Sequence, residues 1–323
     1  MENTDNFQNT LYTCDNLFVL NGMNSETVDL IYLDPPFNSK RTYSAPIGSK
    51  AAGASFKDMW TWEDVDEEYL FTLVEYYPTL VEFIKSIQET HSKAMMAYVA
   101  YMAQRIIEMH RILKETGSFY LHCDPTASHY LKILLDTVFG RENFRNEIVW
   151  CYNTGGKPKD SYAKKHDSIF FYTKSKKWSF NSKNISIAMT PHKSSSNSNN
   201  YGGKMGIDEN GREYVDKQGS KDKNGNYKYY RYYLDEGKIP EDWWIDINSI
   251  QSGAHERIGY PTQKPEALLE RIIKASSNEG DVVLDAFVGG GTTIAVANKL
   301  NRKWIGIDQS VQAIELTKKR LKI

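Results

Sequence analysis

The tetrapeptide Asp34-Pro35-Pro36-Phe37 combines a carboxylate, a rigid backbone and an aromatic ring. It follows an apolar run at residues 29–33 that predicts a strand, and the strand must end there because proline cannot donate to a ladder. The prolines fix the backbone so that the carboxylate and a peptide carbonyl point outward. Two acceptors beside a ring suit a planar aromatic amine, whose NH2 group they bind while the ring stacks on the base. The alternative is a proline-rich turn with a surface aspartate.

A second candidate site lies at residues 282–293, VVLDAFVGGGTT. This pattern predicts a buried strand, an acidic residue, a glycine-rich turn and a helix start, and glycines let the backbone approach a ligand closely. Asp308 ends another predicted strand about twenty residues later, where a carboxylate can accept hydrogen bonds from ribose hydroxyls. A dinucleotide fingerprint would need a third glycine where Ile294 stands, and no P-loop lysine is present. A nucleoside without a pyrophosphate is therefore favoured over a nicotinamide cofactor.

These two motifs together resemble the β-group DNA amino-methyltransferases of restriction–modification systems, which modify adenine N6 or cytosine N4. In that group the catalytic motif precedes the target-recognition segment, and the cofactor motif comes last. The resemblance covers about residues 10–152 and 255–320 of this sequence. Four further segments are similar to the family's motifs: residues 14–16 (CDN), 117–120 (GSFY), 146–150 (NEIVW) and 261–265 (PTQKP).

The resemblance implies S-adenosylmethionine as the cofactor. Asp308 would bind its ribose, Asp15 its adenine and Lys264 its methionine carboxylate. The full set of cofactor residues that the resemblance implies is Asp15, Lys264, Asp285, Phe287, Gly289, Gly291, Thr292, Thr293 and Asp308.

The resemblance also implies the chemistry of Asp34, Pro35, Pro36 and Phe37. Asp34 and the Pro35 carbonyl would accept hydrogen bonds from N6 of an adenine flipped out of the duplex, and Phe37 would stack on the base. Catalysis would then consist of positioning and electrostatic stabilisation, with neither a metal nor a covalent enzyme intermediate. No Pro-Cys pair is present, which argues against C5-cytosine methylation, a reaction that needs a thiolate.

Three other functions remain open at this stage. N4-cytosine methylation uses the same geometry, although relatives acting on cytosine often carry Ser in place of the first Asp. Methylation of RNA or of a protein glutamine is another option, but glutamine enzymes of similar design typically carry Asn there. A DNA-binding subunit that holds the cofactor without transferring methyl groups belongs to a different class, and retained cofactor binding without activity would identify it.

The formal net charge of −1 hides a local asymmetry, since residues 151–240 contain 17 Lys and Arg against 9 Asp and Glu. This basic stretch is where phosphate contacts are expected, and the resemblance implies duplex DNA as the partner. Each candidate phosphate contact, taken alone, is more typical of a solvated charge. The candidates are Arg41, Lys57, Lys157, Lys159, Lys164 and Lys165. The resemblance also suggests a homodimer and a cognate restriction endonuclease, neither of which any residue here decides.

Alternating helical and strand patterns predict an α/β fold, which the resemblance specifies as a Rossmann-like S-adenosylmethionine-dependent methyltransferase with a mixed seven-stranded sheet. We expect a catalytic half at residues 1–152, a target-recognition insertion at 153–254 and a cofactor half at 255–323. The three cysteines form no CxxC pair, the first ten residues are polar, and no apolar run is long enough for a membrane span. A cytoplasmic protein without a metal site is therefore expected, with His122-Cys123-Asp124 serving in packing.

Overall fold

The computed structural model describes residues 9–37, 41–45, 48–52, 55–65, 67–153, 156, 158–188, 203–251 and 253–323. The chain divides into two compact units. The larger contains the chain up to Phe180 and from Asp242 onward, and the smaller is Asn181–Glu241. Within the ranges given above, no helix is long and apolar enough to cross a membrane.

Strands and helices alternate along most of the larger unit. The strands of the whole chain are β1 Thr10–Thr13, β2 Val28–Leu33, β3 Arg41–Ser44, β4 Ser55–Asp58, β5 Leu113–Cys123, β6 Phe144–Cys151, β7 His166–Thr173, β8 Gly203–Ile207, β9 Glu213–Lys221, β10 Tyr227–Tyr233, β11 Trp243–Trp244, β12 Val282–Asp285 and β13 Lys303–Asp308. The α-helices are α1 Asn16–Gly22, α2 Glu67–Tyr76, α3 Pro78–Thr90, α4 Lys93–Ile112, α5 Ser128–Phe139, α6 Glu266–Ser276, α7 Thr292–Lys299 and α8 Val311–Leu321.

The larger unit is built on one mixed sheet with the order β1-β13-β12-β2-β5-β7-β6-β11. Neighbouring strands are parallel except where β7 pairs antiparallel with β5 and β6. The predicted α/β fold with a mixed sheet is confirmed. The sheet has eight strands rather than seven, because the two-residue strand β11 pairs with Val149 and Trp150 of β6.

The sheet separates two hydrophobic cores. Alternate residues of β2 enter opposite cores: Ile31 and Leu33 pack on one face, and Leu30 and Tyr32 on the other. This follows from the period of two in a strand, and burial on both faces accounts for the continuous apolar run in the sequence. Residues of α1, α3, α4 and α5 cover the first face, and residues of α6 and α7 cover the second.

Two boundaries differ from the sequence-based expectation. The helical pattern at residues 69–87 is divided into α2 and α3, because Pro78 cannot donate a backbone hydrogen bond and instead begins the second helix. The segment 153–254 was expected to be an insertion throughout, yet β7 and β11 from this segment are strands of the large sheet. The separate unit, Asn181–Glu241, is therefore shorter than the predicted insertion.

The smaller unit contains an antiparallel sheet with the order β10-β9-β8. Val215 is its one fully buried hydrophobic residue among the residues described there, which agrees with the few aliphatics in its sequence. Ion pairs neutralise two of its arginines: Arg212 binds Asp235, and Arg231 binds Asp216 across β9 and β10. These pairs occupy two arginines but leave the net positive surplus of residues 151–240 unchanged, because Asp216 and Asp235 are already counted among its nine acidic residues.

Candidate active site

The two predicted motifs meet at one edge of the large sheet. Strands β2, β12 and β13 are parallel, so their carboxyl ends lie together, and Asp34, Asp285 and Asp308 stand at those ends. A cavity of about 720 Å³ opens there. Apart from Gly291, every predicted catalytic and cofactor residue lines it: Asp15, Asp34, Pro35, Pro36, Phe37, Lys264, Asp285, Phe287, Gly289, Thr292, Thr293 and Asp308.

The glycine-rich turn has the backbone that only glycine adopts easily. Gly289 and Gly291 have φ values of 50° and 71°, and Gly291 is the N-cap of α7. Asp308 holds this turn, because its Oδ2 accepts the Gly289 N–H at 2.8 Å and its Oδ1 accepts the Ser310 N–H at 2.8 Å. Burial raises the pKa of the Asp308 carboxyl. The predicted ribose acceptor is therefore also the residue that shapes the turn.

Asp285 lies deeper in the same cavity wall. Its Oδ1 accepts the Phe287 N–H at 2.9 Å, and its side chain is also hydrogen-bonded to Thr293. Burial raises the pKa of the Asp285 carboxyl to about 7, and the nearby carboxylates of Asp34 and Asp308 contribute in the same direction. The Asp285 carboxyl therefore gains or loses its proton near neutral pH.

Asp15, the predicted adenine contact, is held by three protein groups. It caps α1 by accepting the Leu17 N–H at 2.8 Å, and it accepts from Gln309 Nε2 at 2.8 Å. Arg105 Nη2 donates to both carboxylate oxygens at 2.8 Å. Sequence reasoning missed Arg105, although a charged residue within the apolar pattern of α4 was a usable signal, since such a residue is rarely buried without a partner.

Lys264, the predicted contact of the methionine carboxylate, is paired with Asp34. Its Nζ donates to Asp34 Oδ1 at 2.8 Å and to Asp34 Oδ2 at 2.6 Å. The Lys264 side chain is 8% exposed and that of Asp34 is 19% exposed. The same ammonium lies 5.3 Å from the centre of the Phe37 ring. Lys264 therefore contacts both side chains that the sequence assigns to base binding.

A buried polar chain lies behind Phe37. The Tyr32 hydroxyl is hydrogen-bonded to His122 Nδ1 at 2.8 Å, and His122 Nε2 is hydrogen-bonded to Asp167 at 3.0 Å. The His122 ring is stacked with Phe37 at a centroid distance of 6.1 Å. Burial works to raise the pKa of Asp167, but hydrogen bonding and charge interaction with His122 hold it below its ordinary value. Sequence reasoning placed His122 in packing and missed this chain, since its members are far apart in sequence.

The structure locates three of the six predicted phosphate contacts completely. Lys159 and Lys164 are exposed and Lys165 is half-buried, all in the connection between β6 and β7. Because β6 runs parallel to β5 and β2 in the sheet, this connection starts at the edge that carries Asp34. The backbones of Arg41 and Lys57 lie in the β3–β4 pair, but their side chains lie outside the described residues. Lys157 lies entirely outside them.

The cavity suits a nucleoside cofactor. A Cβ on Gly289 would stand 3.1 Å from the ring of Tyr260, which lines the same cavity, so a side chain there would fill the space that the glycine leaves. The buried carboxylate of Asp285 and the half-buried carboxylate of Asp308, at two strand ends, supply acceptors for hydroxyl and amino groups. The residues present therefore fit the predicted methyl donor, with Asp285 and Asp308 beside it.

Comparison with known proteins identifies the family of this chain. The family model described as DNA methylase matches residues 28–319. Type II methyltransferase M.HpaI of Haemophilus parainfluenzae is 32% identical over 69% of this chain and 59% of its own length. DNA adenine methyltransferase YhdJ of Escherichia coli (strain K12) is 28% identical over 97% of this chain and 83% of its own length.

Structural comparison supports the fold. The PvuII DNA methyltransferase (cytosine-N4-specific) superposes with a TM-score of 0.58 and 14% identity, covering 96% of this chain and 85% of that chain. The chain spans somewhat more than half the length of the first curated relatives, at 59% and 58% of each. The predicted cofactor, S-adenosylmethionine, is confirmed together with the family. The chain belongs to the N6/N4 DNA methylase family of restriction–modification type.

Proposed function

We propose that this chain is a DNA methyltransferase that transfers the methyl group of S-adenosylmethionine to N6 of an adenine flipped out of the duplex. The observation that carries the proposal is that the Asp34-Pro35-Pro36-Phe37 motif and the glycine-rich turn line one cavity. A base amine and a methyl donor bound to these two motifs would lie side by side. Such proximity is itself a large part of catalysis.

The chemistry requires an acceptor for the amino hydrogens and a surface for the base. Asp34 and the Pro35 carbonyl accept hydrogen bonds from the NH2 group, which frees the nitrogen lone pair from the ring. Phe37 stacks on the base and keeps the nitrogen in line with the methyl carbon. As the nitrogen forms its new bond to that carbon, the carbon–sulfur bond breaks and its electrons go to sulfur. The nitrogen then loses a proton to a carboxylate or to water.

Two observations favour adenine over cytosine. Asp34 occupies the first position of the motif, where the resemblance associates Ser with cytosine enzymes. YhdJ, whose name specifies adenine, aligns along nearly the whole chain. The cytosine-N4-specific PvuII enzyme is similar in fold at 14% identity, so it bears only on architecture. N4-methylcytosine remains the alternative product.

DNA binding is expected at the edge of the sheet that carries the cavity. Lys159, Tyr162 and Lys164 are exposed in the β6–β7 connection, and Tyr162 is 99% exposed. Lysines suit phosphates, and an exposed aromatic ring suits an unstacked base. Residues 153–254, including the unit Asn181–Glu241, are proposed to contribute target recognition. A homodimer and a cognate endonuclease are further proposed partners that follow from the family.

The first experiment measures transfer from labelled S-adenosylmethionine to mixed-sequence duplex DNA, with modified nucleosides identified by mass spectrometry. Detection of N6-methyladenine would support the proposal. Detection of N4-methylcytosine would change the target base to cytosine and leave the proposed mechanism unchanged. Cofactor binding without any product would favour the inactive-subunit alternative.

Asp34 provides the matching mutational test. Asp34→Ala and the isosteric Asp34→Asn are both expected to lower kcat by at least about a hundredfold, because a preorganised acceptor is lost. Cofactor affinity, measured by calorimetry, is expected to persist. Loss of cofactor binding in a folded variant would contradict the assignment of Asp34 to the base.

A further inference from the structure

Lys264 joins the two halves of the site, which are separated in sequence by 230 residues at the Asp34–Lys264 contact. It is the one basic residue among the described residues that line the cavity. Its side-chain partner is the catalytic carboxylate, with Nζ at 2.8 and 2.6 Å from the two oxygens. A charge-assisted contact to both oxygens restricts rotation of the carboxylate plane.

The backbone of Lys264 is attached to the cofactor turn. Its carbonyl oxygen accepts the Thr292 hydroxyl at 3.2 Å, and Thr292 is the first residue of α7, directly after the three glycines. Arg320 Nη1 reinforces this connection by donating to the Thr292 hydroxyl oxygen at 3.2 Å and to the Gly290 carbonyl at 3.1 Å. A displacement of the glycine turn is therefore transmitted to the Lys264 backbone.

The contact leaves Asp34 able to act on a base. A carboxylate has about four lone-pair directions, and the Lys264 ammonium uses one on each oxygen, so further acceptor positions remain for an amino group. The ammonium also lies within cation–π distance of the Phe37 ring at 5.3 Å. One ammonium thus lies beside both the acceptor and the stacking surface.

We propose that Lys264 is a positioning residue that couples the cofactor turn to the base-binding motif by holding the Asp34 carboxylate in its working orientation. The inference rests on the proposed methyltransferase function. It differs from the sequence-based assignment, in which Lys264 binds the methionine carboxylate. The two roles predict opposite effects on kcat and on cofactor affinity.

The test compares Lys264→Met, Lys264→Arg and a control, Lys274→Met. Lys274 lies in the last turn of the adjoining helix α6 and pairs with Glu270, so its loss removes a lysine without touching the cavity. Lys264→Met is expected to lower kcat by about a hundredfold, because misplacement of a catalytic group by about 1 Å has that effect. Its Kd for S-adenosylmethionine should stay within about threefold of the wild-type value, since no cofactor contact is lost.

Lys264→Arg is expected to recover part of kcat, because a guanidinium can also bind both carboxylate oxygens. Lys274→Met should match the wild type in kcat and Kd. A Kd at least about tenfold weaker, with kcat unchanged at saturating cofactor, would overturn the proposal and return Lys264 to the methionine carboxylate. An unchanged kcat and Kd would overturn it equally.

A stability measurement keeps this test separate from the proposed function. The unfolding free energies of the wild type, Asp34→Asn, Lys264→Met and the double variant, measured in urea, form a double-mutant cycle. This cycle measures the Asp34–Lys264 interaction without any substrate. The double variant is expected to lose less than the sum of the single losses, because each single change leaves one charged group without its partner. Strictly additive losses would show that the contact is not made. If the wild type transfers no methyl group, the proposed function fails while this cycle still reports the pair.

Discussion

The unusual carboxyl of Asp285 makes the stability of the cofactor-free protein depend on pH in a specific direction. Its pKa is about 7 in the folded chain, against an ordinary value of 3.8, because it is completely buried. Between these two values the folded state binds a proton that the unfolded state has released. Raising the pH through this window therefore lowers the free energy of unfolding, and this loss reaches its full size above pH 7.

The magnitude follows from the size of the shift. Each pH unit between the unfolded and folded pKa values costs about 1.4 kcal/mol, so the two units from pH 5 to the folded pKa amount to about 3 kcal/mol. Asp285→Asn removes the titrating group while keeping one side-chain oxygen to accept the Phe287 N–H. The unfolding free energy of the variant, relative to the wild type, should rise by about this amount between pH 5 and pH 8.

Urea denaturation at pH 5, 6, 7 and 8, without cofactor, measures this difference directly, and other titrating groups cancel in the comparison. Asp281→Asn, at the opposite end of β12, controls for the exchange of carboxylate for carboxamide itself. Parallel stability curves for the wild type and Asp285→Asn would refute the reasoning, since they would mean that the buried carboxyl titrates as it does in the unfolded chain.

Two further predictions concern the cofactor turn and the DNA. Gly291→Ala should destabilise the fold by about 2 kcal/mol or more, because φ is 71° there and the new Cβ would lie 2.5 Å from the Thr317 hydroxyl. It should also weaken cofactor binding. Urea denaturation measures the loss of stability, and calorimetry measures the loss of cofactor affinity. Lys159→Ala combined with Lys164→Ala should reduce the slope of log Kd against log salt for duplex DNA by about 1.8, if each lysine neutralises one phosphate.

Controls for these two predictions lie at the amino end of β13 and just before β12. Lys303→Ala removes an exposed lysine at the amino end of β13, on the edge opposite the cavity, and should leave the salt slope unchanged. Gly280→Ala also changes a glycine with positive φ, but a Cβ there would meet no atom within 4 Å. It should therefore cost only the backbone strain, and an equal loss in both glycine variants would exclude the Thr317 clash.

The sequence by itself determined the fold class and the two motifs whose residues, Gly291 apart, line the cavity. Apolar runs followed by proline or glycine located the strands that end next to Asp34 and at Asp285. Because the strands of an α/β fold are mostly parallel, their carboxyl ends lie on one edge of the sheet. Local signals were sufficient there because each motif is contiguous. Where a pattern extended across Pro78, periodicity alone missed the break, since the apolar spacing continues through it.

Tertiary structure decided which side chains meet across long sequence separations. The pairing of Lys264 with Asp34, of Arg105 with Asp15, and the chain through His122 all join residues at least 45 positions apart. No periodicity encodes such contacts, because they depend on which strands pair and on how helices pack on the sheet faces. Tertiary structure also assigned β7 and β11 to the large sheet, since strand pairing is settled by the available edge and not by position in the sequence. The sequence identified the chemical groups of the site, and the tertiary structure determined which of these groups are in contact.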